Sequence, residues 1–122
     1  MAGFKILVVD DEADFVEVMR TRLEASGYEV FSALDGATGL NMAHTHTPDC
    51  ILLDIGMPQM DGFTFVTRIK QMQELQKIPI IIVSARGQDM QDLFIQEGVQ
   101  DYLVKPFDTQ KLLDIIRTRV MP

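Results

Sequence analysis

The sequence predicts one α/β domain in which helices cover both faces of a five-stranded parallel sheet. Three observations predict this class. Short runs rich in β-branched residues alternate along the chain with longer stretches of helical period. Several of these runs are apolar almost throughout, which is typical of strands covered on both faces. The 122 residues allow five strand–helix units of about 24 residues each, with right-handed crossovers between parallel strands.

Five short runs are the predicted strands, and the first, third and fourth of them are nearly continuous apolar segments. In chain order the strands are predicted at Phe4–Val9, Tyr28–Ala33, Cys50–Leu53, Ile78–Val83 and Tyr102–Val104.

Apolar side chains recur at helical spacing between and after the strands. Three helices have a clear apolar face, formed by Val16, Met19 and Leu23, by Phe65, Ile69 and Met72, and by Leu113, Ile116 and Val120. A second helix is predicted at about Ala37–His44, although Gly39 inside it lowers the helix propensity. A fourth is predicted at about Gln88–Glu97, and its few apolar residues predict loose packing. Gly27 and Gly98 are placed to end helices, and Asp108 is placed to cap the last one.

Composition and charge exclude several classes of protein. The 18 acidic and 11 basic side chains give a formal net charge of −7, which argues against direct binding to nucleic acid or to an anionic membrane. No apolar run approaches the roughly 18 residues of a membrane span. The single cysteine, Cys50, permits no internal disulfide, and acidic residues come too early for a secretory signal. We therefore expect a cytoplasmic domain.

The residues that follow the strands carry the chemistry, because ligands of open parallel sheets bind at the carboxyl ends of the strands. Four strand ends deliver Asp10, Asp11 and Glu12, then Asp54, Ser84 and Lys105 to one edge. Neighbouring carboxylates repel one another, and Mg²⁺ (or Mn²⁺) relieves that repulsion. A divalent cation and a lysine around a carboxylate suit the transfer of a phosphoryl group to an aspartate oxygen.

Four stretches in register resemble the receiver domain of two-component response regulators. They are ILVVDDE at residues 6–12, LLDIGMPQMDG at 52–62, IIVSAR at 81–86 and DYLVKPF at 101–107. The resemblance covers nearly the whole chain and implies a flavodoxin-like (βα)5 fold, a doubly wound three-layer sandwich. It also implies one receiver domain over residues 1–122, with a core at about 4–120.

The resemblance assigns roles to individual residues. Asp54 matches the phospho-accepting aspartate. Asp10 and Asp11 match the acidic pair that holds magnesium, with Asp11, Asp54 and the Gly56 carbonyl as direct ligands. Lys105 and Ser84 match the groups that contact the phosphoryl group. Further implications are that Tyr102 swings inward with Ser84, that the Lys105–Pro106 peptide is cis, and that Gly56 and Arg86 tune the lifetime of the phosphorylated form.

The implied function is a switch that takes a phosphoryl group from a histidine kinase or a histidine phosphotransfer protein. Phosphorylation is expected to shift the face formed by the fourth helix, the fifth strand and the fifth helix, and thereby to control a partner or an attached output domain. The sequence leaves open whether the phosphorylated form dimerises through that face. Two other functions are weighed against the switch. One is a magnesium-dependent phosphatase with an aspartyl nucleophile, and the other is an interaction domain that never takes phosphate.

Overall fold

The sheet of this protein has the strand order β2-β1-β3-β4-β5, and all four pairings are parallel. The structure is a computed structural model that describes residues 3–56, 60–85 and 88–121. The strands are β1 (Lys5–Val9), β2 (Glu29–Ala33), β3 (Cys50–Leu53), β4 (Ile80–Ser84) and β5 (Asp101–Val104). The helices are α1 (Ala13–Ala25), α2 (Gly36–His46), α3 (Gly62–Gln71), α4 (Gln88–Gln96) and α5 (Thr109–Val120). The predicted fold class is confirmed.

Successive residues of a strand point to opposite faces of the sheet, and here both faces are covered. Leu7 and Val9 face one buried cluster together with residues of α2, α3 and α4, whereas Ile6 and Val8 face a second cluster with α1 and α5. Apolar residues are therefore required at positions 6–9 of β1, which explains its continuous apolar run. At about 25 cal/mol per Å² of buried apolar surface, this two-sided burial is the main force that holds the layers together.

Most predicted boundaries agree with the structure to within two residues. β4 begins at Ile80, two residues later than predicted, because Pro79 has no amide hydrogen to donate across the sheet. On α5, Leu112 is fully buried with Ile116 and Val120, whereas the predicted Leu113 is only partly buried. Because two leucines are adjacent there, the sequence periodicity does not distinguish their faces, and the packing against the sheet decides.

The predicted helix ends are confirmed where the structure describes them. Gly27 and Gly98 have φ angles of 94° and 91°, the left-handed region in which glycine is favoured. The Asp108 carboxylate accepts a hydrogen bond from the amide of Gln110 at 2.9 Å and so caps α5. Asp35 and Asp61 cap α2 and α3 in the same way, each accepting from the residue three positions on at 2.8 Å.

Gly39, which weakens the sequence evidence for α2, is where that helix packs closely against the sheet. A Cβ at this position would lie 2.9 and 3.0 Å from the two methyl groups of Val9 and 3.1 Å from the Phe65 ring. Val9 and Phe65 are both fully buried, so neither has room to move. Glycine at this position lowers the intrinsic stability of α2, but it allows the helix to pack against Val9 and Phe65 without a steric clash.

We predict that Gly39→Ala lowers the free energy of unfolding by about 1 kcal/mol, because the cost of overpacking exceeds the gain in helix propensity. Urea unfolding measures the change. The matched control is Asn41→Ala at an exposed position of the same helix, which should raise the stability by several tenths of a kcal/mol, that is, roughly the difference in propensity. A Gly39→Ala protein as stable as the wild type would contradict this account of the packing.

Candidate functional site

Backbone hydrogen bonds between strand ends bring the candidate residues together. The amide of Asp10 donates to Ala33 at the end of β2 (3.1 Å), and the amide of Asp54 donates to Val9 at the end of β1 (2.9 Å). The amide of Lys105 donates to the Ser84 carbonyl at 2.7 Å, which joins β5 to β4. Each functional residue is therefore held by the sheet itself, one residue beyond the regular pairing or at its last position.

The register sets the height of each side chain above the sheet. Val9 pairs with Leu53, so Asp10 and Asp54 stand level at the ends of β1 and β3. Leu53 pairs with Ile82, and Ser84 pairs with Val104. If these pairings are extended by one residue, Ser84 lies one residue further along the strand direction than the two carboxylates, and Lys105 lies two residues further. β1 and β3 are also where the strand order reverses, which is the usual ligand position in such sheets.

Lys105 turns back toward the carboxylates and makes the contacts that organise the site. Its Nζ donates to Asp10 Oδ2 at 2.8 Å and to Glu12 Oε1 at 3.1 Å, and it lies 3.9 Å from Asp54 Oδ2. The ammonium also lies 4.0 Å from the centroid of the Phe15 ring, a cation–π contact. The Lys105–Pro106 peptide is cis, the isomer that the resemblance implies.

Burial shapes the electrostatics of the site. Asp10 is 1% exposed, and this burial, together with the nearby charge of Asp54, raises the pKa of Asp10 above its ordinary value of 3.8; the hydrogen bonds from Lys105 and from the Glu12 amide only partly oppose the rise. Burial by itself lowers the pKa of Lys105, but its bonds to Asp10 and Glu12 outweigh that effect and raise the pKa above 10.5. Lys105 is therefore charged at neutral pH, and the site favours additional positive charge.

Carboxylate oxygens in the site fit a small divalent cation. One oxygen each from Asp10, Glu12 and Asp54 lie within 4.8 Å of one another, and opposite oxygens of a magnesium octahedron are about 4.2 Å apart. Hard oxygen donors are the ligands that this ion prefers. The described residues therefore suit Mg²⁺ with little adjustment.

The structure brings together Asp10, Asp54, Ser84 and Lys105, as the sequence predicts. Asp11, by contrast, is exposed, and its expected direct contact with the metal stays a prediction. Gly56 lies beside Asp54, and its amide donates to Asp54 Oδ1 at 3.1 Å. Arg86, expected to tune the lifetime of the phosphorylated form, lies outside the described residues.

Two contributors to the site were given no role by the sequence reasoning, which placed Glu12 at this edge of the sheet and did not name Phe15 there. Glu12 supplies the third carboxylate of the cluster, and Phe15 supplies the ring against the ammonium. Glu12 ends the acidic run that follows β1, so its position was a usable signal. The position of Phe15 follows only from the packing of α1 beside the loop that contains Lys105.

Comparison with known proteins shows which class of protein has this fold and site. The family model described as the response regulator receiver domain matches residues 6–117. The chain therefore belongs to the receiver-domain family of two-component response regulators, which are signalling domains rather than enzymes. The transcriptional regulator RpaA of Synechocystis sp. is 36% identical over 115 residues, and the response regulator PleD of Caulobacter vibrioides is 41% identical over 117 residues. Each match covers 93% of this chain, which spans 47% of RpaA and 25% of PleD.

Solved structures of receiver domains have the same fold. A response regulator of Chloroflexus aurantiacus superposes with a TM-score of 0.92 at 29% identity, and the match covers 98% of this chain and 99% of that one. The receiver domain of the sensor histidine kinase PA1611 from Pseudomonas aeruginosa superposes with a TM-score of 0.90 at 30% identity, covering 99% and 100%. A magnesium ion is coordinated in the active-site cleft of that receiver domain. In the part of this chain that the structure describes, no helix is long and apolar enough to cross a membrane.

We predict that magnesium stabilises the folded protein through Asp10. A ligand at 100 times its dissociation constant adds about 2.7 kcal/mol of stability, so MgCl₂ should raise the melting temperature. Asp10→Asn should abolish most of this rise, because the buried carboxylate no longer attracts the cation. The matched control is Asp35→Asn, since asparagine caps a helix as well as aspartate does. Equal magnesium stabilisation in Asp10→Asn and wild type would exclude this site.

Proposed function

We propose that this chain is a phosphorylation-dependent switch whose Asp54 accepts a phosphoryl group from a phosphohistidine donor. The observation that carries the proposal is the arrangement around Asp54. One of its oxygens is held by the Gly56 amide, and the other faces the Lys105 ammonium at 3.9 Å. That separation is too long for a hydrogen bond, so the lone pairs of Oδ2 stay available for attack.

In the proposed reaction, Asp54 Oδ2 attacks phosphorus while the bond from phosphorus to the donor imidazole nitrogen breaks. The electron pair of that bond stays on the leaving imidazole, and an acyl phosphate forms on Asp54. Lys105 moves toward the phosphoryl oxygens and offsets their charge, and the Ser84 hydroxyl donates to one of them. Bound magnesium supplies charge neutralisation and orientation of the phosphoryl oxygens. We assign it to Asp10, Asp11, Asp54 and the Gly56 carbonyl.

Phosphorylation would act on the face formed by α4, β5 and α5. The phosphoryl group adds roughly −1.5 to −2 charges and three acceptor oxygens, which draw Ser84 and Lys105 inward. Tyr102 is half-buried, with its ring centroid 6.4 Å from that of Phe94. Phe94 is the only buried side chain of α4 among residues 90–96. A helix with so few buried contacts moves at low cost when Ser84 and Tyr102 rearrange.

The same face offers surface for an output. Leu93 and Ile95 on α4 and Val104 on β5 are 41–50% exposed and offer apolar surface to a partner. We propose that phosphorylation changes this surface for a downstream protein, an attached output domain or a second copy of the chain. Direct binding to DNA is not proposed, because the net charge of −7 opposes it. A cytoplasmic location and the extent of the domain over 1–122 stay predictions.

Incubation with acetyl phosphate and magnesium tests the reaction. We predict that intact mass spectrometry detects one added phosphoryl group per chain and that Asp54→Asn removes it. The control is Asp61→Asn, which alters an exposed aspartate that caps α3 and should leave phosphorylation unchanged. Absence of an adduct with every donor would contradict the switch, and continuous turnover of many phosphate esters would support the phosphatase instead.

This chain has an apolar groove beside the site, and we propose that the donor protein docks there. The groove has a volume of about 370 Å³ and is lined by Phe15, Val18, Met19, Lys105, Pro106, Phe107 and Thr109. Lys105 lies in both the groove and the site, so a protein seated there brings its phosphohistidine next to Asp54. Val18 is 58% exposed and presents apolar surface to the docked protein. We assign the groove to the histidine-bearing donor domain.

We predict that Val18→Asp slows phosphoryl transfer from a histidine phosphotransfer protein at least tenfold and leaves uptake from acetyl phosphate unchanged. The charged side chain disrupts an apolar contact but lies outside the reacting cluster. Leu34→Asp, another exposed apolar residue, at 50% exposure, serves as the control and should change neither rate. Equal slowing with both donors would show damage to the site rather than loss of docking.

A further inference from the structure

Glu12 is a poor residue for its local position. It is the N-cap of α1, yet its side chain makes no capping hydrogen bond. Serine, threonine, aspartate and asparagine are the residues preferred there. In this protein α2, α3 and α5 have capping aspartates, and α1 does not. A residue that breaks a local rule is expected to have a role elsewhere in the fold.

The Glu12 carboxylate instead binds Lys105, 93 residues further along the chain, at 3.1 Å. Lys105 has a second carboxylate partner, Asp10. The two carboxylates differ in burial and in their other hydrogen bonds. Asp10 is buried, and both of its oxygens are engaged, one by the Glu12 amide at 2.9 Å and one by Lys105 at 2.8 Å. The Glu12 side chain is 64% exposed, so water can replace Lys105 at little cost.

The two contacts together keep Lys105 away from Asp54. The ammonium lies 3.9 Å from Asp54 Oδ2, against 2.8 and 3.1 Å from its two partners. The ammonium has three N–H groups, and its movement toward a phosphoryl group on Asp54 would lengthen its contacts to Asp10 and Glu12. The exposed Glu12 is the partner that costs least to release.

We propose that Glu12 is a positioning residue that tethers Lys105 in the unphosphorylated state and releases it when a phosphoryl group arrives. The inference deepens the proposed function and rests on it. The tether stabilises the unphosphorylated state relative to the phosphorylated one. Its removal therefore favours the phosphorylated form, whereas loss of Lys105 itself would disfavour it.

The first test measures the tether without any phosphate. Lysine acetylation by an N-hydroxysuccinimide ester, mapped by peptide mass spectrometry, reports how free each amine is. Glu12→Gln should increase the labelling rate of Lys105 about twofold or more relative to the exposed Lys111, because an exposed ion pair of this kind shifts an equilibrium by about two- to fivefold. Asp14→Asn removes an equal charge from the exposed first turn of α1 and should leave the rate unchanged.

The second test measures the release. At magnesium saturation, established separately for each variant, beryllofluoride binds as a stable mimic of the phosphoryl group and is titrated by amide NMR. Glu12→Gln should bind it about two- to fivefold more tightly than the wild type, and Asp14→Asn should bind it as the wild type does.

The outcomes separate the inference from the function on which it rests. Unchanged Lys105 labelling in Glu12→Gln would overturn the tether. Faster labelling without tighter beryllofluoride binding would overturn its release. Equal effects in Asp14→Asn would show a general charge effect and overturn the specific role of Glu12. If the wild type neither binds beryllofluoride nor takes up a phosphoryl group, the proposed function fails together with the release step, while the labelling result still decides whether Glu12 holds Lys105.

Discussion

The site depends on two carboxylates held side by side at the buried end of an apolar sheet. Asp10 and Asp54 follow β1 and β3, which pair directly, so the register leaves them level and adjacent. Two negative charges with little access to water repel one another strongly. The arrangement persists in the folded protein because Lys105 returns from β5 to neutralise it. The carboxylates beside Asp54 thus continue to favour additional positive charge.

The sheet holds this arrangement firmly, whereas helix α4 beside it has few buried contacts. Near the site, β1, β3 and β4 are buried between two layers of helices. Backbone hydrogen bonds fix Asp10, Asp54 and Lys105 to the neighbouring strand ends. On the α4 side, by contrast, Phe94 is the main buried anchor. In the proposed switch, a phosphoryl group on Asp54 would meet firmly held carboxylates beside a face with few buried contacts. A switch requires this combination, because binding energy must be spent on rearrangement rather than on deforming the core.

Much of the fold was predictable from local physics. Continuous apolar runs identify strands covered on both faces, and glycines after apolar helices identify helix ends, as Gly27 and Gly98 confirm. The positions at the predicted strand ends identified the acidic residues, the serine and the lysine of the site. The face of α5 was not predictable, since Leu112 and Leu113 are adjacent and equally apolar. Nor was the packing role of Gly39, because helix propensity says nothing about a valine on a strand 30 residues earlier.

The sequence by itself determined the class of fold, the edge of the sheet that carries the chemistry, and the residue types gathered there. These follow from periodicity and from the order of residues along the chain, which are local properties. Only the tertiary structure decided which partners those residues have. Whether Lys105 binds Asp10, Glu12 or Asp54 depends on the sheet register, on the burial of each carboxylate and on the Phe15 ring beside the ammonium. The two hydrogen-bond partners, Asp10 and Glu12, lie 95 and 93 positions from Lys105 in the chain. Differences of about an ångström, to which no sequence pattern is sensitive, decide between the three carboxylates.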